Sequence, residues 1–330
     1  MAESFRIGIV GAGAVSDGYH APVLAQFPGV EVAWVCDKDS EKARRFAARH
    51  RIARSSPALD SLPDVHAALV AIPVGLRRET IETAVRRHWN LLIEKPFAAA
   101  LAEHDAILAS CRQAKIQVGV GLMRRFFRPV LAGRELVRSG VFGPLEEVWA
   151  AEGAPMRGSG RDGDWYQNDP AAAGGGVLIE TGSHLVDQAL FIAGVEEVEL
   201  KRAELVSHEG IDFEARLALE ARGIKLHIAL SRLKDLCNGV VLRFARGTVK
   251  VPLTCDGTLE LLDADFRRVA SLDVPLRGAA AIYQAFYLEW EAFIGQCRSG
   301  APSLIDAASC RLATRLIGET YAREREKAPS

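Results

Sequence analysis

The sequence has almost no net charge and no clustered cysteines, and each shortage excludes a class of protein. Its 330 residues carry a formal charge of −1, and Lys and Arg are scattered rather than grouped, so nothing indicates a nucleic-acid-binding surface. The six cysteines include no close-spaced pair, which indicates reduced thiols and a cytoplasmic protein. We expect no metal site, because no histidine or cysteine cluster has the spacing of metal ligands.

Long hydrophobic runs and internal repeats are also missing. The first apolar run is interrupted by Gly8, Gly11 and Gly13 and lacks a cleavage-type segment, and no run reaches the length of a membrane span. We therefore expect no membrane partner. With 330 residues, of which 49% are hydrophobic, the chain is long enough for two domains and a large core.

The first 37 residues follow the order strand, glycine turn, helix, strand, acid. The apolar run 5–10 predicts a short buried strand, and the glycines of segment 11–16 follow it directly. The spacing over 14 to about 27 predicts a helix. The β-branched run 30–36 predicts a second strand, which ends at Asp37.

Each part of this order suits a dinucleotide. Gly11 permits a tight turn, Gly13 lets backbone N–H groups approach a pyrophosphate, and the helix N-terminus supplies positive potential. Asp37 would accept hydrogen bonds from the adenosine ribose. An acid there repels a 2′-phosphate, which favours NAD over NADP, although Lys38 could soften that preference. The third glycine position holds Ser16, and an ordinary loop is the alternative interpretation.

A third predicted strand, over 65–73, is followed by a helix at about 76–87 and a fourth strand over 89–93. The fourth strand delivers Glu94-Lys95-Pro96 to the carboxyl end of the sheet, where open α/β sheets bind ligands. Pro96 ends the strand and fixes the direction of Lys95. A Lys–Pro bond at such a place can be cis. The alternative is a salt-bridged surface lysine.

A triple glycine, 174–176, leads into an amphipathic run near the middle of the chain. If this run is helical from about Val177, then Glu180, His184 and Asp187 project along one stripe. The flanking residues are mostly apolar, which argues against a solvated helix. The segment is therefore predicted to line a site, and a buried histidine with satisfied partners is the alternative.

Together, the glycine turn, Asp37, the Glu94-Lys95-Pro96 tripeptide and the His184 segment resemble the Gfo/Idh/MocA family of nicotinamide-dependent sugar and inositol oxidoreductases. The resemblance implies an α/β fold, with an N-terminal Rossmann domain over 1–122 and a second α/β domain over 123–330. The second domain would be built on an open, mostly antiparallel sheet whose spare face forms a homodimer or homotetramer. The C-terminal helix, at about 304–327, could pack back on the first domain.

In that family, the tripeptide lysine and the helical histidine face the substrate hydroxyl that is oxidised, which gives these roles to Lys95 and His184. An imidazole suits removal of the hydroxyl proton, and an ammonium stabilises the developing alkoxide. Family members usually carry aspartate four residues before the histidine. Glu180 is one methylene longer, and we assign it as a proton-relay or substrate-binding acid. The predicted cofactor contacts are Gly11, Gly13, Ala14, Val15, Asp37, Pro73, Glu94 and Lys95.

Further substrate contacts are predicted outside these motifs. Arg125 follows the predicted last strand of the nucleotide domain, over 116–120, and similar relatives use an arginine there to contact substrate. A structural ion pair is the alternative. The glycine-rich stretch 152–170 suggests a mobile loop in which Trp165 and Tyr166 could stack on a sugar ring or lie in the core. His20 could approach the nicotinamide side. The predicted substrate site consists of Arg125, Trp165, Tyr166, Glu180 and His184.

The second half of the chain alternates between apolar and polar residues, as expected for a sheet with one covered face. A helix over 128–139 precedes it, and two helices at about 279–296 and 304–327 close the chain. Strands are predicted over 145–151, 213–220, 224–230, 240–244, 248–253, 258–262 and 268–272.

The function we expect is that of an NAD-dependent dehydrogenase acting on a secondary hydroxyl of a sugar, cyclitol or nucleotide-linked sugar. Lys95 and His184 would assist proton transfer. One alternative is a glycoside-processing enzyme that retains NAD tightly, and NADP is possible as cofactor. The other is a non-catalytic regulator of the same fold that senses a sugar or NAD.

Overall fold

The chain forms two compact units in the computed structural model, which describes residues 4–155, 169–273 and 278–327. The first unit contains the residues up to Leu122 together with Phe286–Cys310, and the second contains Met123–Ala285 and the residues from Arg311. Sequence analysis assigned Phe286–Cys310 to the second domain. It joins the first unit because the Val120 N–H donates to the Ile305 carbonyl at 2.9 Å.

Short apolar and mostly buried runs of the first unit pair as parallel strands, together with a two-residue strand of serines that is not buried. The strands are β1 (Phe5–Val10), β2 (Val30–Cys36), β3 (Ser55–Ser56), β4 (Ala67–Val70), β5 (Asn90–Glu94) and β6 (Val118–Gly121). Their spatial order is β3-β2-β1-β4-β5-β6. This is the strand order of a Rossmann fold, which confirms the predicted fold class for this unit.

Helices connect these strands. They are α1 (Ala21–Leu24), α2 (Ser40–His50), α3 (Arg78–Arg86) and α4 (Leu101–Gln113), with 3₁₀ turns at Leu59–Ser61 and Val74–Leu76. The first helix differs from the prediction over 14 to 27, because a π-helical turn at Ser16–His20 precedes α1, which ends at Leu24. Asp39 caps α2 by accepting the N–H groups of Glu41 and Lys42, both at 3.0 Å.

The second unit contains a large sheet with alternating buried and exposed positions. Its strands are β7 (Leu145–Gly153), β8 (Glu199–His208), β9 (Ile211–Ala221), β10 (Ile224–Ser231), β11 (Gly239–Phe244), β12 (Gly247–Val251), β13 (Leu259–Leu262) and β14 (Arg268–Leu272). The order is β14-β13-β12-β11-β7-β10-β9-β8. Only the β7–β10 pair is parallel among these described strands, so the expected open, mostly antiparallel sheet is confirmed.

The remaining helices are α5 (Arg128–Ser139), α6 (Pro170–Ala173), α7 (Val177–Glu180), α8 (Gly182–Ala193), α9 (Ala279–Ser299) and α10 (Arg311–Lys327), with 3₁₀ turns at Met123–Phe126 and Ala307–Cys310. The helix expected from Val177 onward is two helices with Thr181 between them. Helix α10 begins later than expected, and it contacts α8 and β8 of the second unit. None of the helices in the described ranges is long and apolar enough to cross a membrane.

A buried carboxylate in β9, that of Asp212, closes the glycine turn before α7. Its Oδ1 accepts the Gly176 N–H and the Tyr321 hydroxyl, and its Oδ2 accepts the Leu178 N–H, each at 2.7 Å. Burial, followed by the nearby Asp212 charge, raises the pKa of Tyr321, which keeps the phenol a donor. A Cβ on Gly176 would lie 2.1 Å from the Asp212 backbone oxygen. Glycine is therefore required where the turn meets β9.

Helix α9 buries a second acid, Glu289, in the core of the first unit. The residue is 0% exposed, and neither carboxyl oxygen has a hydrogen-bond partner among the described residues. Burial raises the pKa of Glu289 well above its ordinary value, and the negative charge of Glu94 raises it further. Glu289 therefore keeps its proton in the folded protein at pH values where the unfolded chain has lost it.

Gly176→Ala should destabilise the second unit, because the new methyl group must displace the Asp212 backbone. We expect a loss of about 1–3 kcal/mol in the free energy of unfolding, measured by urea titration. Gly318→Ala is the matched control, since no described atom lies within 4 Å of a Cβ placed there in α10, and it should stabilise the helix by about 0.5–1 kcal/mol. Equal effects of the two substitutions would contradict the close contact between Gly176 and the Asp212 backbone.

Glu289→Gln should change how stability depends on pH. The folded pKa is raised, so the contribution of Glu289 is complete below its unfolded pKa, near 4.5, and is lost as pH rises towards the folded pKa. A glutamine side chain does not ionise, so the Gln variant does not lose this stability. The Gln variant should therefore gain unfolding free energy relative to the parent as the pH rises above about 4.5. The exposed Glu291→Gln serves as control, and a pH-independent difference for Glu289→Gln would refute the assignment.

Candidate active site

The first unit presents a glycine turn at the carboxyl end of β1. Gly11 has a φ of +102°, and a Cβ there would lie 2.3 Å from the Ala71 carbonyl oxygen, so only glycine fits. No described atom lies within 4 Å of a Cβ placed on Gly13. Helical structure begins at Ala14 and Val15. The turn thus leaves approachable backbone at the start of a helix, which suits a pyrophosphate.

Asp37 lies just beyond β2 and is fixed by the turn. Its Oδ2 accepts the Ala12 N–H at 2.9 Å, and its Oδ1 accepts the Asp39 N–H at 3.1 Å. The Lys42 ammonium lies 3.5 Å from Oδ2. An ionised carboxylate offers about four acceptor positions. The two backbone donors therefore leave capacity for ribose hydroxyls, and these residues fit the adenosine end of a dinucleotide.

Arg77, which sequence analysis missed, joins the carboxyl ends of β4 and β5. Its buried guanidinium donates from Nε to the Ile72 carbonyl at 2.8 Å and from Nη1 to the Glu94 carbonyl at 2.7 Å and to the Pro96 carbonyl. Pro73, a predicted cofactor contact, precedes the 3₁₀ turn between Ile72 and Arg77. In the sequence, Arg77 is a charged residue at the start of an amphipathic helix, and no pattern there indicates that it is buried.

The Glu94-Lys95-Pro96 tripeptide is held from inside the unit, and its Lys–Pro bond is cis. Glu94 is buried; its Oε1 lies 2.9 Å from the Nε2 of His20, and its Oε2 accepts the Lys95 N–H at 3.0 Å. Burial alone would raise the pKa of Glu94, but the His20 hydrogen bond and the positive charges of Lys95 and Arg77 lower it overall. The carboxylate is therefore ionised beside a half-buried Lys95.

His20 is completely buried against Glu94, with 0% exposure. Sequence analysis expected it to approach the nicotinamide side of the cofactor, and that role stays a prediction. In the structure, the two ring nitrogens of His20 lie against Glu94 and Trp290 of the same unit, since Trp290 Nε1 lies 3.0 Å from Nδ1.

In the second unit, the acids around His184 meet arginines. Glu180 ends α7, and its Oε2 accepts a hydrogen bond from Nη2 of Arg232, which is 9% exposed. His184 lies in the first turn of α8 and is 7% exposed. Arg232 follows the end of β10, and its only sequence signal was a cation directly after an alternating strand. The predicted role of Glu180 must accommodate this ion pair.

Arg125 forms a buried ion pair with Asp187 of α8. Its Nε donates to Oδ2 at 2.8 Å and its Nη2 donates to Oδ1, and the two side chains are 4% and 6% exposed. The guanidinium also lies 5.0 Å from the centre of the Phe191 ring. This is the structural pairing that the sequence left open, and a substrate contact by Arg125 stays a prediction. The other two candidates, Trp165 and Tyr166, lie outside the described residues.

Two family models match the chain. A model described as an oxidoreductase family with an NAD-binding Rossmann fold matches residues 5–122, and a Gfo/Idh/MocA C-terminal domain matches residues 130–249. The two matches together span well over half of the chain, and they follow the order of the motifs described above.

Individual relatives agree with these matches. The rhizopine catabolism protein MocA of Rhizobium meliloti is 26% identical over 98% of this chain and 97% of its own length. An inositol 2-dehydrogenase of Acidothermus cellulolyticus is 27% identical over 96% and 93%. The fold matches that of a levoglucosan dehydrogenase in complex with NADH and levoglucosan, with a TM-score of 0.83 at 17% identity over 98% of each chain. The chain belongs to the Gfo/Idh/MocA family of oxidoreductases, and its first unit is an NAD-binding Rossmann domain.

Proposed function

We propose that this protein is an NAD-dependent dehydrogenase that oxidises a secondary hydroxyl of a sugar, cyclitol or nucleotide-linked sugar. The observation that carries the proposal is the anchoring of Lys95. A buried, ionised Glu94 and the buried Arg77 hold its backbone at the carboxyl edge of the Rossmann sheet. That edge is where open α/β sheets bind their ligands. Relatives whose names specify inositol and levoglucosan support the substrate class.

The cofactor site of the proposal uses the residues of the first unit. The turn from Gly11 to Val15 would receive the pyrophosphate, Asp37 would bind the adenosine ribose, and Pro73 would border the bound molecule. Bound NAD supplies an acceptor for the hydride that leaves the carbinol carbon. The open backbone at Gly13 and the spare acceptor positions of Asp37 support this assignment.

The protein groups handle the charge and the proton. The Lys95 ammonium would donate a hydrogen bond to the substrate oxygen and stabilise its alkoxide character as the hydride leaves. The His184 imidazole would take the hydroxyl proton, since its basicity suits transfer near neutral pH. In the reverse direction, the imidazolium returns that proton to the carbonyl oxygen. Both groups thus act where charge develops.

In this proposal, Glu180 binds the substrate and does not accept its proton. Its carboxylate accepts a hydrogen bond from Arg232, so one of its oxygens is already engaged. We therefore assign Glu180 and Arg232 to substrate binding, in which the carboxylate accepts from a hydroxyl group. Proton transfer is left to His184.

Lys95→Met should lower kcat by about 10²–10³-fold or more, because it removes the cation at the developing oxyanion. NAD affinity should be retained. The measurements are NADH absorbance, with a compound that reduces NAD in a panel of polyols, and calorimetric titration with NAD. Lys225→Met, at an exposed position of β10, is the matched control. Unchanged turnover in Lys95→Met would contradict the proposed role of Lys95 in stabilising the alkoxide.

A double substitution tests whether the two proton-handling groups serve one step. His184→Asn alone should lower kcat by about 10²–10⁴-fold. If both groups act on the same hydroxyl, Lys95→Met combined with His184→Asn should cost little more than the larger single loss, because groups that act as a unit are non-additive. Losses that simply multiply would indicate separate roles.

Asp37→Asn should relax the preference for NAD over NADP. Removal of the carboxylate charge eliminates repulsion of a 2′-phosphate, while the nearby Lys42 ammonium remains. We expect the ratio of kcat/KM values for the two cofactors to shift towards NADP by about tenfold or more, which corresponds to about 1.4 kcal/mol. Asp60→Asn, at an exposed site, should leave the ratio unchanged. An unaltered ratio in Asp37→Asn would show that another group selects the cofactor.

A further inference from the structure

A chain of buried hydrogen bonds leads from α9 to the Lys95 backbone within the first unit. Trp290 Nε1 lies 3.0 Å from His20 Nδ1, His20 Nε2 lies 2.9 Å from Glu94 Oε1, and the Lys95 N–H lies 3.0 Å from Glu94 Oε2. Trp290 and His20 are each 0% exposed. No substrate or cofactor role is required to explain these contacts.

The direction of each hydrogen bond follows from the donor at one end. An indole N–H can only donate, so His20 Nδ1 must be the acceptor and must lack a hydrogen. The ring hydrogen of the neutral imidazole therefore resides on Nε2, which donates to Glu94. A hydrogen on Nδ1 would set two N–H groups against each other. Trp290 thus selects the tautomer of His20 that can serve Glu94.

Ring packing keeps His20 in this orientation. Its ring meets Phe286 edge-on, with centroids 4.9 Å apart at 85°, and meets Trp290 at 5.8 Å and 89°. Tyr19 stacks on Phe286 at 4.9 Å and 5°. The imidazole therefore cannot turn its nitrogens away from Glu94 without displacing aromatic rings of the core.

The groups that surround Glu94 suit an ionised carboxylate at this position. Glu94 is surrounded by His20, Lys95, Arg77 and the neutral Glu289. With one oxygen occupied by His20, the other remains for the Lys95 N–H, and Arg77 holds the carbonyls of Glu94 and Pro96 on either side. Hydrogen bonds on both sides of Lys95 thereby fix its backbone. The point at which its side chain leaves the backbone is fixed as well.

We infer that Trp290 and His20 are positioning residues for Lys95, acting through Glu94. The indole orients the imidazole, the imidazole orients one carboxylate oxygen, and the other carboxylate oxygen holds the lysine peptide. The inference rests on the proposed function of Lys95. Neither Trp290 nor His20 is required to touch the substrate, so their loss should affect kcat rather than the affinity for NAD.

Two substitutions at His20 separate the donor from the acceptor. Asparagine places its amide at the reach of Nδ1 and can still accept from Trp290, but it cannot reach Glu94. Glutamine places its amide nitrogen at the reach of Nε2 and can still donate to Glu94. With the panel compound that reduces NAD, His20→Asn should lower kcat by about tenfold to a hundredfold with KM for NAD unchanged. His20→Gln should recover most of that loss.

The exposed His88→Asn is the matched control and should retain parental kcat, since its positive φ of 53° suits asparagine. A His20→Asn variant that keeps kcat, or a His20→Gln variant no better than His20→Asn, would overturn the inference. A raised KM for NAD in place of a lowered kcat would overturn it as well, because it would indicate a cofactor contact.

The tautomer itself can be observed in the parent protein, without a variant that could fail to fold. In ¹⁵N-histidine-labelled protein, His20 should show a hydrogen on Nε2 and a bare Nδ1, with its signals identified by their loss in His20→Gln. A hydrogen on Nδ1 would refute the network. If Lys95→Met retains turnover, the proposed function fails while this spectrum is unaffected. If Lys95→Met is inactive but the His20 results above are negative, only the positioning inference fails.

Discussion

The buried carboxylate of Glu94 is the constraint on which the rest of the first unit depends. A charge removed from water costs several kcal/mol unless it is paired and hydrogen-bonded, and Glu94 is only 8% exposed. His20 and the Lys95 peptide supply the hydrogen bonds, and the Arg77 guanidinium adds positive charge nearby. Glu289 keeps its proton because a second anion beside Glu94 would have no comparable partners. The backbone of Lys95 is fixed as a result.

The carboxylates of the second unit are also paired with hydrogen-bond donors, but the donors are different. Asp212 accepts two backbone N–H groups and a hydroxyl, which fixes the glycine turn that begins α7. The acids on α7 and α8 face arginines: Glu180 pairs with Arg232, and Asp187 pairs with Arg125. His184 therefore lies between two carboxylates that are already engaged. Under the proposed function, this leaves proton exchange to the imidazole.

Periodicity predicted most strands of both sheets because those strands bury one or both faces, whereas it missed β3 and β8. The motifs indicated Asp37, Lys95 and His184 because the expected chemistry requires those residue types, and their roles stay predictions. The partners were harder to predict. Arg77, Arg232 and Trp290 reach their contacts through the fold, and the sequence separation between Trp290 and His20 is 270 residues. A sequence pattern reports spacing along an element, whereas a buried charge selects its partners in space. For the same reason, the sequence did not indicate that Phe286–Cys310 joins the first compact unit.

The measurement that tests the central claim most directly is the reduction of NAD by the unmodified protein. NAD binding would first be established by calorimetry, and absorbance of the reduced nicotinamide would then be followed with sugars, inositols and nucleotide-linked sugars. We expect NADH formation with at least one secondary alcohol in this panel and consumption of NADH with the matching ketone. Binding of NAD with no turnover in either direction across the panel would contradict the assignment as a dehydrogenase of such hydroxyls.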